Sequence, residues 1–337
     1  MKLPVMLAMF LLLYGLVSGV NAKIWIVDNN PNPIGDFTNL TDAHNAAASG
    51  DTIYVYPSNN AYAAITVTKQ LFLIGSGFDI ELHGGLANNA ASTISGSMIF
   101  NAGSENSSIE GMDGEFAIAA NVGNVTMKRN ELAYVDINAS GCLLLQNEIV
   151  TYGRSGTVKI AANLGNILVA NNKIYNTQSS ATNYHALVCN TTSTVAVANN
   201  ILKTSHSFAS AIINLSATSV AQNNIILYGK LGGAGTFRYN MCNSTQLPAI
   251  NGNIPNTNMT TVFENPNDFN AGFHLLPGSP ALGSGFSGVD MGIYGGDAPY
   301  VDGGFPGLPA IFHFESEIIT TPQNGLDVVI KAKSNRE

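Results

Sequence analysis

Short runs of alternating apolar and polar residues recur along the chain, and five of them align on an asparagine. They are Val125-Thr-Met-Lys-Arg-Asn130-Glu-Leu132, Cys142-Leu-Leu-Leu-Gln-Asn147-Glu-Ile149, Ile167-Leu-Val-Ala-Asn-Asn172-Lys-Ile174, Val195-Ala-Val-Ala-Asn-Asn200-Ile-Leu202 and Ser219-Val-Ala-Gln-Asn-Asn224-Ile-Ile226. Three positions before each asparagine stands Met127, Leu144, Val169, Val197 or Ala221, and two after it Leu132, Ile149, Ile174, Leu202 or Ile226. Alternation of this kind predicts a short strand with one buried face. The asparagines are separated by 17 residues (Asn130 to Asn147) up to 28 (Asn172 to Asn200), a repeat length that points to a solenoid. A leucine-rich horseshoe needs near-constant repeats; coils of unequal length fit a parallel β-helix, whose loops vary freely. Asparagine tolerates the left-handed backbone of a tight turn, and its amide can bond the same residue one coil away, about 4.8 Å along the stack. Asn130, Asn147, Asn172, Asn200 and Asn224 are therefore expected to form a buried ladder.

The ends of the repeat region carry their own signals. From Gly35 to Tyr56 the chain reads as an amphipathic helix followed by a strand. Phe37, Leu40, Ala43, Ala47 and Ala48 make its apolar stripe, Thr38 or Asn39 caps its start and Gly50 ends it. Such a helix would cover the open edge of the first coil. At the other end, Ala310–Ile319 and Leu326–Lys333 flank Thr320-Thr-Pro-Gln-Asn-Gly325 and predict a β-hairpin, either a cap on the last coil or an arm that pairs with another molecule.

The stretch from Gly35 to Gly77 and the asparagine-turn repeat resemble secreted bacterial pectin-lyase-like β-helix proteins. Pro277-Gly-Ser-Pro-Ala-Leu-Gly283 with Gly288-Val-Asp-Met-Gly-Ile-Tyr-Gly-Gly296 resembles the final coil of many of them. The resemblance implies an all-β fold, a right-handed parallel β-helix solenoid of eight to ten coils, with an N-terminal capping helix and a C-terminal β-hairpin. It does not select a function, because that superfamily holds lyases, hydrolases, esterases, adhesins and structural proteins. The expected division is a signal peptide over 1–22, the capped β-helix over 23–305 and the hairpin over 306–337.

Composition sharpens this reading. Lys2 followed by the apolar run from Leu3 to Val17 and by Val20-Asn21-Ala22 has the form of a cleaved secretory signal, so a secreted or cell-surface location is expected, with no membrane-spanning segment in the mature chain. Charged residues make up only 11% while apolar ones reach 45%, so the abundant small polar residues punctuate a packed structure rather than a disordered one. A formal charge of −8 argues against nucleic acid as a partner. Cys142, Cys189 and Cys242, in the absence of any CxxC or Cys/His cluster, read as buried apolar residues.

The chemistry is harder to read. No Asp or Glu occurs between Glu148 and Glu264, which removes from the central repeats both the paired carboxylates of a glycosidase and the calcium cluster of a metal-dependent lyase. The same repeats carry Arg154, Lys159, Lys173, Lys203 and Arg238, a candidate binding set for an acidic polysaccharide or cell-surface glycan, with Tyr152, Tyr175, Tyr184 and Tyr228 available to stack on sugars. Tyr152, Lys173 and His185 are the candidates for a base if the protein is a metal-independent lyase. Asp290 and Asp297 are candidate calcium ligands in a glycine-rich segment; no other cofactor is implied. The expectation is a non-enzymatic protein that binds glycan or builds a surface or adhesive layer. Its alternatives are such a lyase and a passive scaffold that self-associates through the hairpin.

Overall fold

The computed structural model describes residues 22–80, 90–179, 183–206, 208–269, 273–316 and 325–334. The expected signal peptide, apart from Ala22, lies outside them. The chain forms an all-β parallel solenoid. One sheet holds ten strands, from Ile24–Val27 to Thr236–Arg238, every neighbouring pair parallel and in chain order. A second sheet of 13 strands supplies the other two faces, because Glu131–Ile137 pairs by its first residues with Glu148–Thr151 and by its last with Gly156–Ile160. A single coil reads Ile167–Ala170, Lys173–Asn176, His185–Val188, after which the chain rises to Val195–Ala198.

The alternation seen in the sequence becomes the interior of the solenoid. Met127, Leu144, Val169, Val197 and Ala221 follow one another in register across the ten-stranded sheet, and all are fully buried. Leu132, Ile149, Ile174, Leu202 and Ile226 do the same on the next face. The five asparagines between these columns form the expected ladder, each Nδ2 donating to the next Oδ1 at 2.9–3.0 Å. The ladder continues through Asn240 to Asn253, at 2.9 and 3.2 Å, beyond the segments the repeat identified.

The structure separates two roles that the sequence reading assigned to one residue. The left-handed turn belongs to the residue before each ladder asparagine: Arg129, Gln146, Asn171, Asn199, Asn223 and Tyr239 have φ between 52° and 57°. The ladder asparagine itself points inward and has no positive φ, because its amide must reach both neighbouring coils.

At the N-terminal end a short helix, Leu40–Ala46, is capped by the Asn39 side chain, which accepts from Asp42 N at 2.9 Å. Leu40, Ala43 and Ala47 are buried, and Phe37 packs on Trp25, with ring centroids 5.4 Å apart. Ala48 is exposed rather than part of the stripe, since the helix stops four residues before Gly50. Gly50 (φ 94°) instead turns the chain into the strand Asp51–Val55.

The C-terminal part departs further from expectation. Residues 277–305 do not build a final coil; among the described residues they contain no strand. From about Gly285 they run back along the outside of the solenoid as a strap, held by side chains of the left-handed turn positions. Asn223 Oδ1 accepts from Phe286 N, Asn199 Nδ2 donates to the carbonyls of Asp290 and Gly292, and Asn171 Nδ2 to those of Ile293 and Gly295. Gln146 Nε2 then donates to Pro299 O and Arg129 Nη1 to Phe305 O. A second apolar cluster fills the space beneath, where Ile201, Ile225 and Met241 on the outside of the second face meet Val262, Phe263, Phe273, Met291 and Ile293.

The antiparallel hairpin of Pro309–Ser316 and Val328–Ser334 therefore starts beside the coil of Arg129, not on the last coil. Ile311, Phe314, Leu326, Val328, Val329 and Ile330 of this segment are all exposed. The three cysteines are buried and free. Burial pushes their thiols up, that of Cys189 to about 12.

Candidate functional site

Two places on the solenoid gather chemistry. The first is a row on the outside of the second face, directly after the asparagine ladder. Strand register sets Glu131 beside Glu148 and Glu148 beside Lys173 on successive coils, after which the row becomes Ile201, Ile225 and Met241. Asp113 precedes Glu131, whose N–H donates to the carbonyl of Met112. The row changes from charged to apolar at Ile201, and the C-terminal segment covers both parts.

Lys173 is not a free groove cation. Its side chain is 2% exposed, its Nζ lies 3.0 Å from Glu148 Oε2 (4% exposed), and Tyr300 of the strap covers it with the ring centroid 4.8 Å away. Burial pushes Glu148 up, and the Lys173 ammonium opposes that shift. Glu131 has no such cation. Burial, the Asp113 carboxyl and the charges of Asp113, Glu148 and Asp79 raise it to about 9, so it holds a proton at neutral pH. Asp113 accepts from Thr93 Oγ1 at 2.7 Å. Tyr300 is buried against Glu148, and its phenol is pushed well up by burial and by the Glu148 charge. Beside it Tyr294 donates to Asp302 Oδ1 at 2.6 Å, His274 Nε2 lies 3.0 Å from Asp302 Oδ2, and the His274 and Tyr294 rings stack at 4.2 Å.

Carboxylates thus do reach the middle of the solenoid, contrary to what their distribution along the sequence implied. Asp113, Glu131 and Glu148 fall on the fourth to sixth of the ten coils, and the strap returns Asp302 to them. Covered by the strap, Glu148, Lys173 and Tyr300 are closed to a polymer. One signal for the row was present in the sequence: the residues immediately after the ladder asparagines are Glu131, Glu148 and Lys173, then Ile201 and Ile225.

The second place is the corner between the second and third faces. Tyr152, Tyr184, Phe208 and Tyr228 occupy it on four successive coils. Tyr152 is 75% exposed, Phe208 61% and Tyr228 41%. Lys230 Nζ lies 4.6 Å from the Phe208 ring centroid and, among the described residues, has no carboxylate in ion-pair range. A pocket of about 470 Å³ opens at the far end of the corner, lined by Tyr228, Lys230, Ser244 and Gln246 among others. Phe208 was missed in the sequence because nothing in its neighbourhood repeats.

The remaining candidates are distributed around these two places. Arg154, at the start of the corner, holds both oxygens of Asp136 at 2.7 Å and lies over Tyr134, 3.7 Å from the ring centroid. His185 accepts from Ser210 N through Nδ1, and burial lowers its pKa, leaving it neutral at pH 7. Lys159 is half-buried on the third face. Lys203 sits over Tyr175, 4.6 Å from the ring centroid, and Tyr175 packs on Phe269 instead of standing free to stack. Arg238 belongs to the strap: its guanidinium lies 4.0 Å from the Phe286 ring centroid and Nε donates to Gln222. The sequence set is therefore not one groove; Lys173 and Arg238 serve the C-terminal segment. Asp290 Oδ1 accepts from Gly283 N at 2.7 Å, a turn contact, while Asp297 is exposed. Among the described residues no three or more His, Cys, Asp or Glu side chains are placed to hold a metal ion, and no helix is long and apolar enough to cross a membrane.

Comparison with protein-family models, curated proteins and solved structures found no match. The functional reading rests on the geometry of these residues.

Proposed function

We propose that the protein is an exported, surface-located solenoid that binds glycan without cleaving it, and that the corner of Tyr152, Tyr184, Phe208 and Tyr228 is where the sugar chain lies. The observation that carries this reading is the exposure of aromatic side chains at one corner of consecutive coils. Large apolar groups left in water on a rigid surface mark interaction sites. Aromatic faces stack on the apolar faces of sugar rings, and a coil rise of about 4.8 Å presents them at regular intervals along an extended chain. Lys230 beside the stripe, with no carboxylate in ion-pair range among the described residues, favours a glycan that carries carboxylates.

Removal of Lys173 into a buried ion pair weakens the lyase alternative, since it takes away one of three candidate bases. The test is a panel of acidic and neutral polysaccharides passed over the immobilised mature protein, recording retention and new unsaturated ends together. Retention of an acidic polysaccharide without new ends is expected, and Phe208→Ala with Tyr228→Ala should abolish it. New unsaturated ends would replace the binding reading with the lyase. Neither result, together with concentration-dependent assembly, would leave the scaffold.

A further inference from the structure

The two ends of the aromatic corner differ in charge. At its start Arg154 holds both oxygens of Asp136 at 2.7 Å, so the pair brings little net charge to the coil of Tyr152. The middle of the corner is neutral. His185 Nδ1 accepts from Ser210 N at 3.0 Å and His206 Nδ1 from Phe208 N at 3.1 Å, so neither nitrogen carries a proton. Lys159 belongs to the third face and Lys203 is drawn over Tyr175 on the second, each on a flat side rather than at the corner. At the far end the balance changes. Lys230 opens Lys230–Gly233, the last strand of the third face among the described residues. Its Nζ lies 4.6 Å from the Phe208 ring centroid, a contact that keeps the ammonium at the corner, and no carboxylate among the described residues is in ion-pair range. The pocket of about 470 Å³ opens beside this ammonium, with Ser244, Thr245 and Gln246 on its other side. Gln246 Oε1 accepts from Ser244 N at 2.8 Å and its Nε2 donates to Asn243 Oδ1 at 2.7 Å, which fixes the turn and leaves the exposed Ser244 and Thr245 hydroxyls to a ligand.

Resting on the glycan reading above, we propose that the corner selects a heteropolysaccharide in which uronic acids are isolated among neutral sugars: the acidic sugar sits beside Lys230 and the neutral ones lie along Tyr152 and Tyr184. The reason is the sign of the surface at each coil. An aromatic face is the negative side of its ring's quadrupole, so it takes the apolar face of a neutral sugar and repels a carboxylate. A carboxylate set over Tyr184 also gives up water with no cation to replace it. At Lys230 the same group meets an ammonium and two hydroxyls in a half-enclosed pocket. A neutral chain leaves that ammonium unused, and a chain acidic at every sugar brings repulsion to the coils before it. Specificity thus comes from rejection along the row as much as from attraction at its end.

Affinity electrophoresis of the mature protein tests this with three soluble polymers: gellan, which carries one uronic acid in each tetrasaccharide repeat, polygalacturonate, which is acidic throughout, and hydroxyethylcellulose, which is neutral. Gellan should bind about fivefold more tightly than either of the others, the size of one partly exposed ion pair, and added salt should remove the advantage. Lys230→Gln, at an exposed position that leaves the core untouched, should lower gellan to the level of hydroxyethylcellulose. Phe208→Ala should weaken both. Polygalacturonate retained as tightly as gellan, or gellan retention unchanged in Lys230→Gln, would overturn the selectivity while leaving the glycan reading in place. Retention of none of the three polymers would remove the glycan reading and this inference with it.

Discussion

Replacing Asn172 by Ala removes the central rung of the ladder, and the structure gives the size of the effect. Asn172 Oδ1 accepts from Asn147 N and from Asn147 Nδ2, both at 2.9 Å. Its Nδ2 donates to Leu144 O, Ala170 O and Asn200 Oδ1 at 2.8–3.0 Å. Asn147 Nδ2 keeps Met127 O and Leu145 O, so its loss is partial. Asn147 N–H keeps nothing, and water cannot enter because both residues are fully buried. One orphaned buried donor costs about 1–3 kcal/mol, and the lost bonds and the space left behind raise the expected destabilisation to about 3–5 kcal/mol. Asn253 provides the comparison. It ends the ladder and is 7% exposed; its replacement by Ala also orphans one buried donor, Asn240 N–H, but removes only one bond donated by its own amide, to Phe237 O, so it should cost less, about 1–3 kcal/mol. Urea unfolding followed by circular dichroism gives the two values, and hydrogen exchange at Asn147 N–H locates the damage. Equal losses at Asn172 and Asn253, or a loss below about 1 kcal/mol at Asn172, would refute the view that the ladder is supported by buried, otherwise unsatisfied backbone.

Other perturbations separate the roles assigned above. Lys173→Met leaves the Glu148 carboxylate buried without its cation and should cost about 3–5 kcal/mol, whereas Lys173→Met with Glu148→Gln should recover most of it; a double-mutant cycle in urea reads the difference. Phe208→Ala should weaken retention of an acidic polysaccharide at least tenfold while leaving the thermal midpoint unchanged, because a side chain 61% exposed contributes little to the core; affinity electrophoresis and a thermal melt together check it. Native protein should leave its thiols unmodified by a thiol-reactive dye at pH 8 and release three equivalents only on unfolding, since all three cysteines are buried and Cys189 is raised to about 12.

What the sequence revealed and what it hid follow from distance along the chain. The inward columns and the ladder were legible because each coil repeats them at fixed offsets from its asparagine, so neighbours in space are also neighbours in a pattern. Asn240 and Asn253 escaped because the residues around them break the template: Gly235 stands five positions before Asn240, where Val125 or Ile167 stands elsewhere, and Pro255 follows Asn253 where Leu132 or Ile149 follows its asparagine. The strap was hidden for a different reason. Its contacts join residues more than 60 positions apart, from Asn223 to Phe286, and as many as 176 apart, from Arg129 to Phe305, and no local periodicity encodes such pairs. The fate of Lys173 followed from the strap, whose Tyr300 ring lies over its ammonium.

The left-handed turn positions connect these levels. Two turns of the same kind are made by glycine, Gly111 before Met112 and Gly252 before Asn253, both with φ above 70°, while Tyr239 makes the turn before Asn240 and packs its ring on Phe286. Under the strap the same conformation is held by Arg129, Gln146, Asn171, Asn199 and Asn223, at a cost of about 1–2 kcal/mol each for residues other than glycine and less for asparagine. A turn alone would select glycine throughout. Each of these five side chains instead bonds a strap backbone group, several of them buried, an exchange that offsets the strain. At Arg129 the bond is charge-assisted, the strongest of the set. The residues at a single turn position therefore mark the coils that carry the returning chain: there the side chain that tolerates the left-handed turn is also the one that reaches the strap backbone.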